Sequence, residues 1–361
     1  MNRLTAIGLA SLVAYGLLLA SKYTGVVSAA HSDAAPAPVQ EAASAPLTGV
    51  QALTPDPAPR ALQAFPSPAP RVMPVRASIG QEFRTTRDLK AFADGLSSRG
   101  DQLTADERYF LAKALEECQF VTSITEDLGA YSAKQRRQFL SSLPTGDPLN
   151  EKRISAYESV DNTQRCLGFK DAKFSARDID ALYKAAANQG DPRAQARLLT
   201  AELSKNLGKG GDAGQAQSPS SPTGHNDDLT LLTQLLDSKD PEALLYVGQF
   251  LAQNAITQNL RVGPNGEVPE PSAFLGGFSL VACDLGQDCS GLNRELMQAC
   301  AYGGFCNAQT YEELYQNFLA SPWAYSQAMR YRMLIRTAID QRNYTLIGLT
   351  PKLMKREKAT L

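Results

Sequence analysis

The chain has 361 residues, with 36 Lys and Arg against 37 Asp and Glu, so it carries no basic footprint for nucleic acid. Hydrophobic residues make up 43%, the ordinary proportion for a globular protein and enough for a sizeable core. Histidine occurs only at His31 and His225, both in low-complexity stretches, so the folded body is predicted to hold no imidazole. That sets aside Ser-His-Asp and Cys-His catalysis and any zinc site built on histidine, but not chemistry with paired carboxylates.

The N-terminus has a short basic start at Arg3, followed by the uncharged, mostly apolar run Leu4 to Ala20. Such a run reads as an export signal. As an uncleaved anchor (the reading preferred here) its roughly 17 residues are at the lower limit for spanning a bilayer. As a cleaved signal it would end near the small residues Val27 to Ala30, giving residues 1–28 as the signal segment. No cysteine follows the run, so a lipid-modified N-terminus is not expected. Everything after the run would cross the membrane. For a Gram-negative bacterium that compartment is the periplasm, with inner-membrane association through residues 4–20 or, after cleavage, a soluble periplasmic form. Residues 29–78 are Ala/Pro-rich without an apolar period and predict an extended, largely disordered linker.

Helical pattern begins near residue 79. The stretch from Thr104 opens with a capping box, Thr104 with Glu107, and Phe110, Ala114, Leu115, Cys118 and Val121 recur at helical intervals. Ser175 caps a second amphipathic helix that Gly190 terminates, and Asp191-Pro192 restarts the next one. "GDPRAQARLL" at 190–199 is echoed by "KDPEALLYVG" at 239–248, each copy following an amphipathic helix. A Gly/Ser/Pro-rich insertion, 207–228, lies between them. Without it the period falls in the range of paired-helix repeats.

The matching positions are Ala181, Tyr183, Lys184, Ala185, Ala186, Gly190, Asp191, Ala194 and Gln195, with Asp240, Ala243, Leu245 and Gly248 in the second copy. On these residues the segment resembles the Sel-one-like repeat, a relative of the tetratricopeptide repeat. The resemblance implies stacked helix pairs and a binding surface, and names no ligand. The expected fold is all-α, with stacked antiparallel helix pairs of the α-solenoid type over 79–350, stapled by disulfides, before a basic tail at 351–361.

After a turn-rich loop at 262–274, helices are expected to end at Gly286, to run from Ser290 to Gly303-Gly304, and to start at a Thr310/Glu313 capping box. A long final helix, roughly Pro322 to Arg342, carries the single tryptophan, Trp323. Four cysteines fall here, spaced C-x5-C, C-x10-C and C-x5-C. Zinc knuckles use closer pairs and thioredoxin-type sites use C-x-x-C, so neither metal nor redox function is expected. Cys289 and Cys300 bracket one helix and, at ~1.5 Å rise per residue, stand too far apart to pair. Short antiparallel turns instead bring Cys283 to Cys289 and Cys300 to Cys306. The remaining Cys118 and Cys166, on apolar helical faces, are paired as a link between helices.

Two adjacent carboxylate pairs, Glu116-Glu117 and Glu312-Glu313, are candidates for acid–base work, but neighbours on a helix diverge by about 100°, and each pair reads as a solvated face. Trp323, Tyr325 and Tyr331 could line a groove, though an aromatic stripe at this spacing reads as core. "RMLIR" and Arg342 could serve an anionic partner, and a solvated helix face explains them equally well. No phosphate-binding or dinucleotide motif is present, and no cofactor is expected. The function expected is that of an exported, non-catalytic helical-repeat binding or scaffold protein with a protein or peptide partner in the cell envelope. The alternative is a cell-envelope enzyme using a carboxylate pair, for instance on cell-wall polysaccharide.

Overall fold

Thr104 starts the first long helix as its sequence predicts. The Thr104 hydroxyl accepts from the Glu107 N–H while the Glu107 carboxylate accepts from the Thr104 N–H. The structure, a computed structural model, describes residues 78–124, 127–172, 174–208, 224–291 and 293–350. The apolar run at 4–20, the linker and the basic tail lie outside the described residues. Among the described residues, no helix is long and apolar enough to cross a membrane.

The helices are α1 (Ile79–Thr85), α2 (Leu89–Ser97), α3 (Ala105–Thr122), α4 (Leu128–Ser142), α5 (Asn150–Val160), α6 (Asn162–Arg165), α7 (Ala176–Asn188), α8 (Pro192–Gly208), α9 (Gly224–Asp237), α10 (Pro241–Asn254), α11 (Pro271–Asp284), α12 (Arg294–Gly303), α13 (Tyr311–Leu314) and α14 (Pro322–Asp340). The fold is all-α. Among the described residues, an isolated antiparallel bridge, Val262 with Glu267, closes a turn.

The helices stack in the order α3, α7, α8, α10, α11, α14, with α1 and α2 laid on α3 and α9 packed against α8 and α10. The α4–α6 segment leaves this row, and its α5 packs on α12. Two apolar cores result. One joins α1–α3 and α7 around Leu89, Phe110 and Tyr183. The other runs from α8 to α14 around Leu244, Phe274, Phe278 and Ile335. A small third cluster, Phe139, Ala156, Tyr157 and Ala301, joins α4 and α5 to α12. At Gly277 of α11 a methyl group would meet the Tyr331 Cβ at 2.7 Å and the Ala328 carbonyl oxygen at 3.2 Å, so the close approach of α14 depends on the missing side chain.

The echoed segments fold alike. Gly190 ends α7 in the left-handed region, and Asp191 accepts from the N–H groups of Arg193 and Ala194 to start α8. Lys239 is left-handed too, at φ 54°, and Asp240 accepts from Glu242 and Ala243 to start α10. In each hairpin proline stands at the first helical position, and Ala194 and Ala243 are fully buried.

Several boundaries differ from the sequence reading. Helix α12 starts at Arg294, capped by Asn293, because Ser290 is held in a local turn by Asp288. Helix α11 begins earlier than the expected loop end, since Glu270 caps it ahead of Pro271. The Thr310 cap forms, but the Glu313 carboxylate accepts from the Gln309 N–H instead of closing a box on Thr310. The final helix ends at Asp340, and Arg342 turns left-handed at φ 52°. His225 falls within α9 and not in a linker, since that helix begins at Gly224.

Candidate functional site

The cysteines close three disulfides. Cys118–Cys166, Cys283–Cys289 and Cys300–Cys306 have Cα separations of 5.3, 5.6 and 4.3 Å. The first is fully buried and ties α3 to the end of α6. The other two bracket α12. All three act as staples, and among the described residues no group of His, Cys, Asp and Glu is placed to hold a metal ion.

The charged residues gather in a seam between the two large cores. Tyr109, Lys113 and Glu116 fall on one face of α3, at four- and three-residue steps, with Glu117 beside them. Arg193 and Arg197 share a face of α8, and Glu242 and Tyr246 a face of α10, each pair four residues apart. The Tyr109 hydroxyl donates to Glu242 Oε1 at 2.7 Å and lies 3.3 Å from the Tyr246 hydroxyl. Lys113 donates to the same Glu242 oxygen. Tyr183 of α7 donates to Glu116 Oε2 at 2.8 Å, and Arg197 donates to Glu116 Oε1 while its guanidinium lies 3.8 Å from the Tyr183 ring centre. Arg193 stacks over Tyr109 and pairs with Asp106 and Asp191.

Glu117 anchors the next group. Arg294 of α12 reaches both of its oxygens at 3.0 Å, and Arg165 reaches one at 3.3 Å. Arg165 also donates to the Phe83 and Thr86 carbonyls, and Arg294 to Asn162. Glu116 and Glu117 are therefore not a solvated face. Their side chains are 31% and 18% exposed, and each is consumed by cations of other helices. The reason is that α3 is covered on both sides, by α7 and by α6 with α12. Glu312 pairs with Arg332 and accepts from Tyr325, at the surface.

Burial is the largest influence on the ionisation of Lys113, Glu117 and Glu242, yet their side chains keep 18–26% of their solvent access. They stand part-exposed along the seam where α3 reaches α10 through the Lys113–Glu242 pair and α12 through the Glu117–Arg294 pair. Burial by itself would raise the Glu242 and Glu117 carboxyls. Lys113 beside the first, and Arg294 and Arg165 beside the second, outweigh it and hold both below the usual carboxylate range. Glu295 of α12 behaves oppositely. It is exposed, but burial by surrounding protein raises its carboxyl, and the ionisable group that feels its charge is Tyr311, whose own hydroxyl burial pushes up.

A carboxyl kept protonated near neutrality is what a general acid requires. Glu117 and Glu242 are held below the usual carboxylate range instead, each by partners that fix its position. Of the aromatic candidates, Tyr331 is core, Tyr325 is half-buried and Trp323 is 60% exposed, so the stripe splits. The "RMLIR" arginines Arg332 and Arg336 pair within the protein, with Asp284 and Glu312 and with Asp340. The sequence reading missed the seam. Its signal was the recurrence of large polar side chains four apart on three helices, within otherwise apolar faces. No protein-family model, curated protein or solved structure matches the chain.

Proposed function

We propose that this protein is a non-catalytic helical-repeat scaffold, exported to the bacterial cell envelope, that binds a protein or peptide partner along the part-exposed seam where α3 meets α10 and α12. The observation that carries the reading is the pairing of the seam. Lys113, Arg165, Arg193, Arg197 and Arg294 each meet a carboxylate, and Glu116, Glu117 and Glu242 are each held by two or more donors. Such a lattice fixes the walls of a surface and leaves no free nucleophile or base among its members. The two equivalent helical hairpins, α7–α8 and α9–α10, support the Sel-one-like repeat as its building unit, and stacked hairpins commonly serve as protein-binding surfaces. Three disulfides favour an oxidising compartment, consistent with export and with inner-membrane association through residues 4–20.

The test is cross-linking in living cells followed by purification of the full chain. A reproducible envelope protein, recovered with the wild type, is expected. Recovery of none across independent preparations would contradict the scaffold reading.

A further inference from the structure

Apart from the seam, the surface departs from the ordinary at the corner between α13 and α14. Leu314 to Met329 contains no Asp, Glu, Lys or Arg, in a chain where such residues make up 20%. Leu296 to Tyr311 is equally free of charge, with Glu312 and Glu313 between the two runs and Arg330 after the second. Helix α13 lasts one turn and widens into a π-turn over Tyr315–Leu319, closed by the Ala320 N–H on the Tyr315 carbonyl at 2.9 Å. Ser321 then caps α14. The four residues from Gln316 to Leu319 are all exposed, as are Ser321, Pro322 and Trp323. Three are large and apolar: Phe318 at 42%, Leu319 at 53% and Trp323 at 60% exposure. Folding gains nothing from showing three such side chains to water within six positions, so the patch calls for an occupant.

The corner is also stiff. The Phe318 ring stacks on Phe305, with centroids 4.6 Å apart and planes 21° from parallel. Phe305 lies inside the short loop that Cys300–Cys306 closes. The exposed apolar groups thus sit on a support that loses little freedom when it docks.

We propose that Phe318, Leu319 and Trp323 form a tip that enters the headgroup and acyl boundary of a lipid bilayer. Three features favour lipid over a protein partner. Phenylalanine and leucine at a turn reach the acyl region, and tryptophan is the side chain that settles at the interface. The run that enters the bilayer, Gln316 to Trp323, carries no ion to desolvate. Protein hot spots lean on arginine, and the exposed run Gln316 to Trp323 has none. The bilayer is also within reach, because residues 21–77 lie between a membrane-held Ala20 and Ser78, the first described residue. That last point rests on the reading of residues 4–20 as a membrane anchor. The tip itself selects neutral lipid, so its contact is independent of salt and of anionic headgroups.

Trp323 is the only tryptophan, so its emission reports this corner alone. The full chain is mixed with phosphatidylcholine vesicles, and flotation and Trp323 emission are read together. The proposal expects a blue shift, quenching by brominated acyl chains, and no change at high salt. A Phe318→Ser/Leu319→Ser double variant, shown by circular dichroism to keep its helices, should need roughly tenfold more lipid or more for the same shift. It should still float with the vesicles through residues 4–20. Flotation with unchanged emission would overturn the tip and leave the anchor standing. No flotation and no shift would overturn both. A shift that grows with protein concentration without lipid, or appears with a soluble oligosaccharide but not with vesicles, would assign the corner to a second copy or to a glycan and overturn the proposal.

Discussion

Arg294 of α12 grips both oxygens of Glu117 on α3, at 3.0 Å each, across 177 positions of sequence. The contact joins the helix bracketed by two disulfides to the first long helix of the row. It is reinforced where Arg153 of α5 donates to the Ala301 carbonyl, at 3.1 Å, at the other end of α12.

Removing Glu117 should cost more than removing Arg294. Glu117→Ala leaves the Arg165 guanidinium, 5% exposed, without its counter-charge, and a loss of about 3–5 kcal/mol is expected. Arg294 is one-third exposed and can turn to solvent, so Arg294→Ala should cost less, about 1–2 kcal/mol. Urea unfolding of both variants measures the difference. The Glu117 and Glu242 carboxyls titrate lower in the folded than in the unfolded chain, so their contribution is present above the unfolded carboxylate pKa of about 4.3. It is lost as pH falls through their folded values, and the gap between wild type and Glu117→Gln should close there.

Glu295 should show the opposite sign. Its folded pKa is raised by burial, so its stabilising share is present below the unfolded pKa and vanishes as pH rises through the folded value. Glu295→Gln should therefore raise the melting temperature at pH 7–8 and leave it nearly unchanged near pH 4. An equal shift at both values would contradict a raised Glu295 carboxyl.

The two hairpin turns should respond in opposite directions to one kind of exchange. Gly190→Ala puts a side chain into a left-handed position, φ 91°, and should destabilise by about 1 kcal/mol or more. Lys239→Gly relieves the same conformation in the second hairpin. It should be neutral to stabilising by up to about 1 kcal/mol, less whatever the exposed Lys239–Asp340 pair contributes. Thermal melts of the two variants test the equivalence of the hairpins.

The disulfides should rank by loop length. Cys118–Cys166 closes a separation of 48 residues, against 6 for each of the others. Chain-entropy estimates give about 4 kcal/mol for the long loop and about 2 for each short one. Paired Cys→Ser variants at 118 and 166 should be the least stable in urea. The 283/289 pair should lose less, and the 300/306 variant should also loosen Phe305 beneath Phe318.

Much of this architecture was legible in local chemistry. Thr104 with Glu107, Ser175, and Asp191-Pro192 each act within one turn of chain, so their helix starts follow from short-range hydrogen bonds. Ser290 misled for the same reason in reverse, since Asp288 two residues earlier competes for it. The seam was hidden because its meaning is non-local. Whether Glu116 and Glu117 face water or Arg197 and Arg294 depends on which helices cover α3, over separations of 81 and 177 residues. The exposed corner at Phe318 was obscured because the π-turn moves Phe318 and Leu319 off the face that an α-helical period assigns them.

The central claim is that the seam binds a partner and does not carry out a reaction. A photo-cross-linking amino acid placed at Glu295, and in parallel at the exposed Lys184 of α7, tests it in living cells. The account predicts a discrete adduct with one envelope protein from position 295 and none from position 184. Equal labelling from both positions, or no adduct from position 295, would contradict it.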